Sequence, residues 1–117
     1  RSTVDSTVST RRTSQDAAMK TFRDAKDAAL ATFKTTVDQS FSILQTTVCS
    51  TTDATADKAA WDKYRSDVKA AKATMQAAID AARKTLKDSI TTINGNAKTA
   101  IDSAAKARKE ALKALKK

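Results

Sequence analysis

The chain has 117 residues, with 22 Lys and Arg against 13 Asp and Glu, a single Gly, a single Cys, no Pro and no His. Turn-rich β folds need Gly and Pro at their corners and are excluded. Without His the usual general base and the commonest transition-metal ligand are missing, and one Cys among scattered carboxylates gives no metal-site spacing. The length suits one small domain, expected here as a single helical domain over residues 1–117.

The first predicted element is a helix over about residues 3–49. Its signature is a count of eleven. "RDAKDAALATF", residues 23–33, runs straight into "KTTVDQSFSIL", residues 34–44, and the two blocks match in residue type. Arg1, Arg12, Arg23 and Lys34 are eleven apart, as are Asp5, Asp16, Asp27 and Asp38. Two apolar rows follow the same count: Val8, Met19, Leu30 and Phe41, and then Phe22, Phe33 and Leu44. Eleven residues close three turns at about 3.67 residues per turn, so the stripe runs nearly straight along a helix. It is clearest at Phe33, Val37, Phe41, Leu44 and Val48, which are taken as core. Lys34 and Asp38 stand four apart on the solvated flank, where they can pair.

A turn is predicted over residues 50–56. The stretch "CSTTDATAD" is rich in Ser, Thr and Asp, which compete for backbone hydrogen bonds and favour caps. Asp53 or Thr55 suits the N-cap of the next helix, with Asp57 in its positive first turn. Cys49, just before the turn, reads as a buried small hydrophobe, an exposed thiol or an intermolecular bridge.

The second predicted helix covers about residues 57–116 and keeps the same period. Val68, Ile79, Ile90, Ile101 and Leu112 form one row, Tyr64, Met75 and Leu86 a second, and Ala60, Ala71, Ala82, Ile93, Ala104 and Leu115 a third. "INGN", residues 93–96, is a potential break, since Asn-Gly often ends helices. Ile90 to Ile101 nevertheless keeps its step of eleven across it, and one mid-helix Gly costs only about 1 kcal/mol. The expected fold is therefore all-α, an elongated antiparallel helical hairpin with eleven-residue (hendecad) periodicity, in which small residues such as Ala71 face large ones such as Phe33. The alternative is a three-helix bundle broken at Asn94–Asn96, with a third helix from Ala97 folding back.

Functional signals are sparse. Catalytic, cofactor and metal residues are all expected to be none, and the chain is read as a non-enzyme without small-molecule substrate. Charge is uneven: from Trp61 onward there are 14 basic and 6 acidic residues, against 8 and 7 before it. The basic-surface candidates are Lys106, Arg108, Lys109, Lys113, Lys116 and Lys117. Such a tail can bind nucleic acid or an anionic membrane surface, weakly and non-specifically, or it can simply complement the helix dipole. Thr10, Thr21 and Thr32 are eleven apart, as are Thr74 and Thr85, with Ala between. This is similar to the Thr–Ala ribbon of alanine-rich single-helix antifreeze proteins, and the resemblance implies an ice-binding helix as a minor alternative.

Ile43 and Trp61 fall off every core row and are the candidates for self-association, because exposed apolar residues suit contact with another copy. The segment "DKAAWDKYRSDVKAAKATMQAAIDAARKTL", residues 57–86, carries Ala59, Ala60, Trp61, Tyr64, Lys69, Ala70 and Ala71 in a suggestive order. It resembles Ala/Thr/Lys-rich secreted helical proteins of unknown function from bacteria of the candidate phyla radiation. That resemblance covers about a third of the chain and implies export without enzymatic activity. Those proteins often show paired cysteines, whereas this chain has one. The chain opens at Arg1 without a hydrophobic leader, which reads as a mature chain lacking its signal peptide, located extracellularly or at the cell surface. The expected function is a structural, self-assembling filament or oligomer subunit.

Overall fold

The computed structural model describes residues 2–116. Among them are two helices, α1 (Ser2–Ser50) and α2 (Ala54–Lys116), and the fold is an all-α antiparallel helical hairpin. Both helices lack Pro, and Thr, which would be a weak helix former, is accommodated by its hydroxyl. Thr7, Thr21, Thr46 and Thr91 each donate to the carbonyl four residues back, at 2.8–3.0 Å.

The link between the helices is shorter than the expected 50–56 turn: only Thr51, Thr52 and Asp53 lie outside a helix. Asp53 explains the early start of α2. Its Oδ1 accepts the Thr55 N–H at 2.9 Å, and its carbonyl accepts the Asp57 N–H at 3.0 Å, the first helical bond. Asp53 is thus the N-cap, Asp57 sits in the first turn as predicted, and Thr55 lies inside the helix. At the other end of the link, Ser50 Oγ donates to the Thr47 carbonyl, and the Asp53 N–H donates to Thr51 Oγ1.

The three-helix alternative fails at Asn94–Asn96. Helix α2 runs through them unbroken, and Gly95 keeps an ordinary helical backbone without positive φ. A single mid-helix Gly is too weak a breaker to defeat a stripe that stays in phase on both sides.

The helices pack as two compact units, Arg23–Ala82 and Arg1–Phe22 with Arg83–Lys117. In the first of these, Phe41 meets Tyr64, Ser40 meets Asp67, and Phe33, Ala71 and Met75 line one groove. In the second, Gln15 meets Asn94, and Ser14 shares a groove with Ile93.

One reading of the stripe needs correction. Val8, Met19, Leu30 and Phe41, taken as a core row, are 37–44% exposed. The row facing α2 is the neighbouring one, Thr7, Ala18, Ala29 and Ser40, half-buried or buried throughout. Contact between two helices is a narrow line. Small residues fit where backbones approach most closely, and large ones are displaced to its edges. Leu44, from the second predicted row, is buried, and Phe22, Phe33, Val37 and Val48 are half-buried. In α2 the predicted rows hold through Ala104, but Leu112 and Leu115 are exposed. The only buried apolar residues among those described are Leu44 and Ala97, and neither is fully buried.

Candidate self-association surface

The unit Arg23–Ala82 carries an aromatic cluster built from both helices. The hydroxyphenyl ring of Tyr64 is met edge-on by Phe41, with centroids 6.0 Å apart, and by Trp61 at 6.2 Å. The Arg65 guanidinium lies 5.8 Å from the Trp61 ring centre, within cation–π range. Arg65 also pairs with Asp62 at 2.9 Å. Phe41 and Trp61 remain 44% and 43% exposed, so Tyr64 supports them from beneath without covering them.

Trp61, one of the two self-association candidates, is thus part-exposed at the edge of this cluster. Ile43 is more exposed still, at 57%. It lies on α1 among Thr35, Asp38, Gln39 and Ser42, a different set of neighbours from those of Trp61. The sequence picks out these two residues but misses the larger feature. Leu30 and Phe41, eleven residues apart on α1 in this unit, are part-exposed as well. The signal was present: Thr7, Ala18, Ala29 and Ser40 keep the same count one position earlier, and small residues are what a close helix crossing selects.

Polar contacts form across the seam and along each helix. Ser40 Oγ donates across the seam to Asp67 Oδ2 at 3.4 Å, and Lys63 holds the same carboxylate oxygen at 2.8 Å. Lys34–Asp38, Lys84–Asp88 and Lys98–Asp102 pair four residues apart at 2.8–2.9 Å. The hydrogen bond to Asp88, and then its charge, raise the Lys84 pKa above the usual 10.5; Asp102 does the same for Lys98. A raised lysine pKa contributes stability that is present below 10.5 and lost as pH climbs through the folded value, so these pairs stay formed at neutral pH. Asp57 Oδ1 is buried without a hydrogen-bond partner among the described residues, in the first turn of α2.

Cys49 is an exposed free thiol rather than a core residue. Among the described residues no group of three or more His, Cys, Asp or Glu could hold a metal ion, and no helix is long and apolar enough to cross a membrane. Thr32 and Thr74, from the two Thr rows, line a groove between the helices, and Thr10 lines another beside Arg11. Lys106, Arg108, Lys109, Lys113 and Lys116 are all exposed on the end of α2; Lys117 lies outside the described residues. No protein-family model, curated protein or solved structure matches the chain.

Proposed function

We propose that this protein is a structural, self-assembling subunit of an extracellular filament or oligomer. The observation that carries the proposal is the part-exposed apolar surface of the unit Arg23–Ala82, where Leu30 is 42%, Phe41 44% and Trp61 43% exposed. A hairpin with two buried apolar side chains among the described residues has little to set against chain entropy, which small domains barely offset even with a proper core. A second copy laid on this surface supplies the missing layer. At about 25 cal/mol per Å² of apolar surface, Leu30 and Phe41 each add up to roughly 1–2 kcal/mol, and Trp61 about 2 kcal/mol, before the costs of association.

The period supports extension. At 1.5 Å per residue the eleven-residue pattern repeats about every 16 Å, and a copy shifted by one repeat meets the same types of residue. An interface that does not close on itself then propagates into a filament. Alternating cations and carboxylates on the flanks bias the register, although each exposed pair contributes only about 0–1 kcal/mol. The resemblance of residues 57–86 to secreted helical proteins supports the extracellular placement. Light scattering with negative-stain microscopy tests the reading: particles or fibres larger than the 12.5 kDa chain are expected, and they should shrink on Trp61→Ala. A monomer at high concentration, unchanged by that substitution, refutes it.

A further inference from the structure

The end of α2 differs in charge balance from the stretch before it. Upstream, Lys63, Arg65, Lys84 and Lys98 each hold an Asp three or four residues away at 2.8–2.9 Å. Residues 106–116 contain five cations, Lys106, Arg108, Lys109, Lys113 and Lys116, and one acid, Glu110. Among the described residues none of these five makes an ion pair. In the same segment Leu112 is 50% and Leu115 82% exposed, the latter more than any other large apolar side chain described.

The two features are arranged together. Ala104, Arg108, Leu112 and Leu115 follow one another at steps of 4, 4 and 3, which places them on one face. Lys109, Lys113 and Lys116 follow the same steps one position on and form the adjoining flank. The segment is thus a short amphipathic helix with a narrow leucine edge and an uncompensated cationic side. We propose that residues 106–116 dock on the surface of an anionic lipid bilayer. Leu112 and Leu115 would enter the boundary between headgroups and acyl chains, while the lysines stay at the phosphate level. Arg108, between the leucines, has a stem long enough to follow them while its guanidinium reaches back to phosphate. No described helix can span the bilayer, so the contact is peripheral. Charge complementarity alone would also suit nucleic acid. That partner, however, leaves both leucines in water, and the segment has no aromatic residue to stack on a base.

Co-sedimentation of the full chain with extruded vesicles tests this. Partitioning onto phosphatidylcholine vesicles containing about 30% phosphatidylserine should exceed that onto pure phosphatidylcholine by roughly tenfold, and fall by a similar factor when salt rises from low to about 0.5 M. Leu112→Ser with Leu115→Ser keeps the charge and should weaken binding roughly threefold or more; Lys109→Gln with Lys113→Gln should weaken it at least as much. Equal binding to neutral and anionic vesicles, or no binding, overturns the proposal. So does lipid binding indifferent to the leucine pair and matched in strength by a duplex DNA oligomer, which would mark a general polyanion contact.

Discussion

Leu44 and Leu30 lie on the same helix and meet opposite surroundings: Leu44 is 4% exposed and Leu30 42%. They belong to rows offset by three residues. Three residues at 3.67 per turn fall about 65° short of a full turn, and that rotation separates covered from uncovered. Leu44→Ala should therefore destabilise the hairpin by about 2–4 kcal/mol, as a buried leucine truncation does. Leu30→Ala should cost the dilute protein less than about 1 kcal/mol. Thermal melts followed by circular dichroism at low protein concentration check the contrast; equal losses would place both leucines in one core.

Gly95 tests the continuity of α2. It has no positive φ, and a Cβ added there meets nothing within 4 Å. Gly95→Ala should therefore stabilise the protein by about 1 kcal/mol and raise its melting temperature by roughly 4 °C. A lower melting temperature would show that the chain needs glycine's freedom at that point, as a reversal there would.

Asp53 tests the link. Its side chain accepts the Thr55 N–H, so Asp53→Ala should cost about 1 kcal/mol, while Asp53→Asn, which keeps the acceptor oxygen, should cost only a few tenths. Chemical denaturation of both variants measures the difference. Equal, large losses would mean that the carboxylate charge matters more than the cap.

Trp61 is the only tryptophan in the chain, which makes it a built-in probe. Half-exposed in the single hairpin, it should shift its emission to shorter wavelength as protein concentration rises and a neighbouring copy covers it. Emission that stays constant over a hundredfold range of concentration would remove Trp61 from the interface.

The helices themselves were legible in the sequence because eleven-residue spacing acts over many repeats, and one weak breaker cannot outvote it. The Asp57 first turn was equally readable, since caps follow local chemistry. The inward row was not. Hydrophobicity points to Leu30 and Phe41, but in a two-helix structure proximity selects small side chains, and Ala29 and Ser40 took the seam. The aromatic support under Trp61 also escaped, because Phe41 and Tyr64 meet only once the register of α1 on α2 is fixed. The turn came out three residues long because Asp53 caps immediately, where composition alone suggested a broader loop.

Sedimentation velocity on the full chain, over a concentration series and alongside Phe41→Ser with Leu30→Ser, bears most directly on self-assembly through the part-exposed apolar surface. The wild type should populate species larger than the 12.5 kDa monomer as concentration rises, and the double variant should remain monomeric with its helicity intact. A wild type that sediments as a monomer throughout, or a double variant that assembles equally well, would contradict the account.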